Sequence, residues 1–374
     1  MRAHLGVIFL ILGLHHSYGL LVKNLKDDTD ELVAVTVLYR DGARSPSKSF
    51  PNDPYYDLSY FPMGFGQLTQ YGRTQQYELG QWLRSRYSTF LSEDYHVDDI
   101  YVRSTDTDRT LMSALANLAG LYPPKGDQLW NKDILWQPIS VHTLPTNEDQ
   151  VLYMERPCPK FNRLYDEVTK NHFFQSMNEE FADFYEQLSN LTGWNITDVS
   201  YIYQLHQVLD IYANYDKSYL PSWASNLDQA KLDYLAGLSF ISWTFTDELK
   251  RLGDGPFFDN LFSGFDKVLD ETQQAPNFLM LSGHEGTIGS VLNGMGLFDY
   301  KVPDFASTLI WEVKKSSEGE HYVNMFYKRH GTEVVDQLKL FECDYNCKYE
   351  TFKSILNPIT VDLATWDKEC AETD

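Results

Sequence analysis

Basic side chains are in short supply. Lys and Arg number 31 against 53 Asp and Glu, a formal net charge of −22 over 374 residues. A chain this acidic has no basic footprint for nucleic acid and is repelled by anionic lipid surfaces, so neither partner is expected. Long apolar runs are also missing, and none approaches eighteen residues. The run Leu5–Leu14 follows Arg2 and His4 and is too short to anchor in a bilayer. With Ser17-Tyr18-Gly19 behind it, it reads as a signal peptide over residues 1–19, cleaved after Gly19. The C-terminus carries neither a stop-transfer segment nor a retention signal, so the mature protein is expected to be soluble and secreted. Cysteine is limited to Cys158, Cys343, Cys347 and Cys370. Zinc needs a closed four-ligand set, and no second C-x-x-C or H-x-x-x-H pairing supplies one; neither a metal nor a cofactor is expected. An even number of cysteines in a secreted chain favours two disulfides, with the pairing left open. Internal repeats, low-complexity tracts and charge blocks are absent as well.

What is present is a core. Apolar residues make up 43% and aromatics 15%, too much for disorder. Leu32–Tyr39 (LVAVTVLY) is a nearly continuous apolar, β-branched run, as in a strand buried on both faces of a parallel sheet. Leu79, Leu83 and Phe90, with Tyr71, Trp82 and Tyr87, predict an amphipathic helix within Thr69–Phe90. Ile100–Val102 reads as a short strand ending at Arg103. A helix follows from Thr107 to Leu121, capped by Asp106 and stopped by Pro123-Pro124. A third strand, Phe278–Leu281, leads through Ser282-Gly283-His284-Glu285 into a small-residue helix over 286–292. Strands alternating with helices predict an α/β fold, whose ligands bind beyond the carboxyl ends of the strands. Three such ends point Arg40, Arg103 and His284 at one crevice. Residues 153–243 hold no convincing strand and are expected to form a helical cap over that crevice, with residues 20–152 and 244–374 making the α/β domain. Asn190-Leu191-Thr192 and Asn195-Ile196-Thr197 are two sequons five residues apart, expected on one glycosylated surface loop. His142, His206 and the other isolated histidines share no metal spacing and are read as structural or surface residues.

Arg40-Asp41-Gly42-Ala43-Arg44-Ser45-Pro46 places two guanidiniums and a carboxylate on a turn directly after a buried strand. Alone, Asp41 and Arg44 would be read as a local ion pair. With Arg103-Ser104-Thr105-Asp106 and His284-Glu285 at matching strand ends, a binding crevice is the better reading.

These residues carry a resemblance. Over nearly the whole mature length the chain resembles the histidine acid phosphatases of the prostatic and lysosomal type. It does so through Gly64-Phe65-Gly66-Gln67-Leu68-Thr69, Tyr77-Glu78-Leu79-Gly80, Asp108-Arg109-Thr110-Leu111-Met112-Ser113-Ala114, Leu135-Trp136-Gln137-Pro138-Ile139 and Leu220-Pro221-Ser222-Trp223. The resemblance implies the histidine-acid-phosphatase fold, a central mainly parallel sheet flanked by helices with a helical cap. It also implies disulfides Cys158–Cys370 and Cys343–Cys347; a third family disulfide is missing, with Tyr212 and Thr308 in its place. The family signature R-H-G-x-R-x-P supplies a nucleophilic histidine and phosphate-binding arginines, and a later H-D pair supplies the proton donor. Carried over, Arg40, Arg44 and Arg103 bind phosphate and His284 keeps its place. Asp41 stands at the nucleophile position and Glu285 at the donor position.

Both departures predict a disabled enzyme. A carboxylate at position 41 lies nearer the backbone than the distal imidazole nitrogen, and misplacement by about 1 Å costs on the order of 10²-fold. It also repels a phosphate dianion, although Asp can form acyl-phosphates. Misdirected general acid catalysis through Glu285 costs roughly 10²–10⁴. Arg40, Arg44 and Arg103 against Asp41 and Glu285 leave a formal +1, where the family pattern leaves +2.

The favoured expectation is therefore a non-catalytic binder of a small molecule. An amine would pair with Asp41 or Glu285 and stack on Tyr203; Tyr153 and Arg156 stand near the cap entry, and core packing is an equal alternative for Tyr203. The altered signature also resembles the acid-phosphatase-like proteins of flea saliva. That resemblance implies a salivary protein sequestering biogenic amines such as serotonin, and leukotrienes, whose carboxylate would meet Arg44 or Arg103. The alternative is a slow acid phosphatase acting on phosphate monoesters through Asp41 or an activated water. A third reading is a secreted surface protein with no ligand.

Overall fold

The computed structural model describes residues 30–371; the expected signal peptide lies outside them. The chain opens with β1 (Glu31–Arg40), buried from Ala34 onward, then α1 (Gln70–Arg86), β2 (Ile100–Ser104) and α2 (Asp108–Leu121). Helices α3 (Pro159–Thr169), α4 (His172–Glu180), α5 (Ala182–Thr192), α6 (Val199–Tyr215) and α7 (Gln229–Trp243) follow. After them come α8 (Asp247–Leu269), β3 (Phe278–Gly283) and α9 (Glu285–Gly294). The remainder is β4 (Thr308–Lys315), β5 (His321–Lys328), β6 (Val335–Leu338), β7 (Cys347–Lys348), α10 (Tyr349–Leu356) and α11 (Leu363–Ala371).

The sheet runs β2-β3-β1-β4-β5-β6, with β7 beside β5. β1 and β2 pair in parallel with β3, while β4, β5 and β6 extend the sheet through antiparallel pairs. The period-2 alternation of β1 explains its double burial. Val35, Val37 and Tyr39 pack with Leu79, Leu83 and Leu118 of α1 and α2. Ala34 and Leu38 pack on the opposite side with Leu261 and Phe265 of α8 and Ile288 of α9. Register puts Arg40 beside Gly283 and Ser104 beside Ser282, so three strands end together.

Two local expectations change. The cap of α2 is Thr107, whose extended backbone precedes the helix, not Asp106; the carboxylate meeting the helix dipole is Asp108 in the first turn. Asn190 is not on a loop, because α5 runs to Thr192 and ends at Gly193 with φ +78; Asn195 lies in the turn that follows, and both asparagines are exposed. The helices of residues 153–243 share their core with Phe50 and Phe61 of the β1–α1 connection. Cys158–Cys370 and Cys343–Cys347 are the disulfides, as the resemblance implied. No helix among the described residues is long and apolar enough to cross a membrane.

Pro256 interrupts α8 from within. Without its N–H the Leu252 carbonyl loses a helical donor. Arg156 Nη2 at 2.5 Å and Trp366 Nε1 at 2.8 Å donate there instead, and Arg156 also reaches the Gly253 carbonyl at 2.8 Å. Beside this junction Asp254 is buried, accepting from the Ser290 hydroxyl. Burial raises its carboxyl to about 7, against the opposing pull of Ser290 and Arg156. A raised acid contributes stability that is complete below the ordinary carboxylate range and lost as pH rises through about 7. Urea unfolding on either side of neutrality should therefore show Asp254→Asn, which cannot ionise, losing less stability on the alkaline side than the wild type. Equal losses would count against a protonated Asp254.

Candidate active site

The Arg40–Asp41 backbone is clamped from both sides. Arg40 N–H donates to the Ser307 carbonyl, Asp41 N–H to that of Gly283, and the Asp41 carbonyl accepts from Ala306 N–H. Gly42 then passes so close to α1 that an added Cβ would lie 2.3 Å from the Gly72 carbonyl oxygen, which is why glycine is required here. The Gly42 and Ala43 N–H groups donate to Ser113 Oγ at 3.1 Å and Gln75 Oε1 at 2.8 Å. The turn is thus tied to β3, α1 and α2 before any ligand arrives.

Asp41 is fully buried at the crevice floor. Its oxygens lie 3.6 Å from Arg44 Nε, 3.6 Å from Arg109 Nε and 3.7 Å from His284 Nδ1. These are ion-pair distances, too long for hydrogen bonds, and among the described residues neither oxygen has a hydrogen-bond donor. Burial works against the charge, but His284 and Arg109 outweigh it and hold the carboxyl below its ordinary range. Arg109 Nη2 is 3.1 Å from His284 Nδ1. The other ring nitrogen, Nε2, lies 3.0 Å from Thr105 Oγ1.

Glu285 opens α9 at the other wall. Its Oε1 accepts from Tyr203 Oη at 2.8 Å and from Gln207 Nε2. Arg40 Nε is 3.2 Å from Oε2 and Arg44 Nη2 3.9 Å from Oε1. Burial alone would raise this acid; Arg40 and Arg44 overcome it and keep it well below the carboxylate range. Arg40 donates to the Pro303 carbonyl at 2.5 Å, lies 3.8 Å over the Phe305 ring and faces Asp210. Tyr203 serves packing and site at once, its ring against Phe240 and Trp243. Tyr153 meets the His284 ring edge-on at 5.8 Å.

Two expected site residues are elsewhere. Arg103 points to the α8 face of the sheet and pairs with Asp149 at 2.5 Å, an aspartate also bonded by the N–H groups of Val151 and Leu152. The third guanidinium of the site is Arg109, projected from the first turn of α2 at the carboxyl end of β2. Arg156 is likewise absent, because its guanidinium is spent on the Pro256 junction and lies over Trp366. Sequence reasoning also passed over Thr105, Gln207 and Asp210. A usable signal existed: Tyr203, Gln207 and Asp210 fall at i, i+4 and i+7, one face of α6.

A crevice of guanidiniums and a histidine at the ends of parallel strands coincides with a sequence-wide match. The model of the histidine phosphatase superfamily (branch 2) matches residues 26–328. The chain belongs to this family. It is 37% identical to the prostatic acid phosphatase of Homo sapiens over 353 residues, 92% of this chain and 89% of that one. It is 35% identical to the lysosomal acid phosphatase of Xenopus laevis over 347 residues, 92% and 79% of the two chains. Among solved structures it resembles the phytase from Citrobacter braakii, with TM-score 0.67 and 16% identity over 92% of this chain and 100% of that one. Hafnia alvei phytase in complex with tartrate gives 0.66 and 15% over 89% and 98%. The likeness to the phytases is one of fold. Within that family, this chain sets three guanidiniums around the crevice floor and a carboxylate among them at position 41.

Proposed function

We propose that this chain is a secreted, salivary, non-catalytic member of the family that binds and sequesters small host mediators in the former active-site crevice. The reading rests on Asp41: a buried, ionised carboxylate between Arg44 and Arg109, both of its oxygens short of a hydrogen-bond donor. Such an acceptor competes with a phosphoryl group for the guanidiniums and suits an arriving N–H donor. Glu285, held ionised by Arg40 and Arg44, has no proton to give a leaving group. Asp210 sets a third carboxylate against Arg40, Arg44 and Arg109, so the guanidiniums leave no formal excess charge to repel an amine. Tyr153, Tyr203 and Trp243 supply aromatic surface for a ring, so a biogenic amine such as serotonin fits the chemistry. A leukotriene would present its carboxylate to Arg109, the most exposed of the three arginines at 23%.

Calorimetric titration with serotonin at neutral pH tests this. Saturable one-to-one binding is expected, weakened about tenfold or more in Asp41→Ala while leukotriene binding is retained. A flat serotonin trace at two temperatures, or equal losses for both ligands, overturns the assignment.

A second reading has its own support, because the relatives named above are acid phosphatases and Asp41 remains ionised beside two guanidiniums. It is a slow phosphomonoesterase using Asp41 as nucleophile, and it requires turnover that disappears in Asp41→Ala.

A further inference from the structure

Arg103, displaced from the crevice, belongs to a second hollow on the opposite side of the sheet. The α8 helix crosses β1 and β3 but leaves the edge strand β2 uncovered on that side, and a cavity of about 320 Å³ lies between them. Its floor is apolar, built from Leu279 and Leu281 of β3 and Phe265 of α8. Its wall and mouth are polar and cationic: Arg103 from β2, and Asn260, Ser263 and Lys267 from successive turns of α8. Ser263 and Lys267 are exposed, whereas Phe265 and Leu281 are buried. The Nε of Arg103 is buried with no hydrogen-bond partner among the described residues, its Nη2 being engaged by Asp149.

We propose that this groove is a second binding site, for an amphipathic carboxylate: a hydrocarbon tail over Leu279, Leu281 and Phe265, and a head group at Lys267. Charge complementarity selects the sign. Lys267 at the mouth can only donate, and Arg103, its charge met by Asp149, adds one unmet Nε–H. The volume selects the size, since it sits at the low end of the roughly 300–1,000 Å³ of small-molecule sites. A medium-length fatty acid suits it and a large lipid does not. Gly264 marks the entrance: a Cβ there would sit 3.9 Å from Leu279 Cδ2, in ordinary contact, so a longer side chain enters the groove without disturbing the helix. The site is independent of the crevice and stands whether or not the chain binds amines.

The test is calorimetric titration of the full chain with decanoate and with decyltrimethylammonium. Decanoate is expected to bind one-to-one and the cation of equal chain length not to bind. Lys267→Glu should weaken decanoate about five- to tenfold, and Gly264→Leu should abolish it with folding intact by circular dichroism. Arg109→Ala, which removes the crevice arginine open to a carboxylate, should leave it unchanged. Equal binding of both probes, or decanoate binding indifferent to both groove variants, overturns the proposal. So does decanoate binding lost in Arg109→Ala, which would place the fatty acid in the crevice.

Discussion

An Asp41→His, Glu285→Asp double variant is expected to hydrolyse p-nitrophenyl phosphate at mildly acidic pH at least about 10³-fold faster than the wild type. The supporting parts are already in place. Arg40, Arg44 and Arg109 stand around position 41, His284 is oriented by Thr105, and the turn carrying residue 41 is tied to β3, α1 and α2. Histidine returns a neutral nucleophile that reaches farther than a carboxylate and does not repel the phosphate dianion. It also frees Arg44 and Arg109 from their internal anion. Two unit charges at about 4 Å interact by roughly 4 kcal/mol at an effective dielectric near 20, so relieving that competition matters for phosphate affinity as well as rate. Aspartate at 285 shortens the donor by one methylene, withdraws it from Tyr203 and Gln207, and lets it take a proton. Each single variant is expected to fall well short of the pair, because nucleophile and acid act in one step. Turnover is the measurement, and a double variant no faster than the wild type would show that the crevice has lost more than these two groups.

Arg156→Ala is expected to cost about 1–3 kcal/mol of stability, the usual result of leaving a buried hydrogen-bonding group unsatisfied. It strips the guanidinium donors from the carbonyls around Pro256, leaving that of Leu252 with Trp366 alone. Burial lowers the Arg156 guanidinium to about 10, with Asp254 opposing, which shows how fully it has left water. Urea unfolding reads the loss. Arg156→Lys should recover only part of it, since an ammonium lacks the planar guanidinium that lies over Trp366. Serotonin affinity in the folded Arg156→Lys protein should be unchanged; a fall in affinity at wild-type stability would return Arg156 to the crevice.

The two arginines show where the sequence is and is not legible. β1, α1 and β3 were readable because apolar runs and a 3.6 period announce buried strands and amphipathic helices. Asp41 and Glu285 were readable because the motif places them directly at strand ends. Arg103 and Arg109 both lie near the end of β2, and deciding between them needs the strand's alternation: β2 runs one residue further than expected, to Ser104, and Arg103 falls on the α8 face. Arg156 depends on Pro256, a hundred residues downstream, whose effect on α8 no local pattern reveals. The antiparallel flank is a similar case. Thr308–Val313 is as apolar as β1, yet its direction is set by pairing with β1 and β5 rather than by composition.

The most direct test of a crevice that binds without catalysing is phosphate-monoester turnover by the wild-type chain beside Asp41→Ala. Assayed with p-nitrophenyl phosphate at mildly acidic pH, the two proteins are expected to be alike, both at the level of buffer. Turnover by the wild type that vanishes in Asp41→Ala would make Asp41 a working nucleophile and contradict the account.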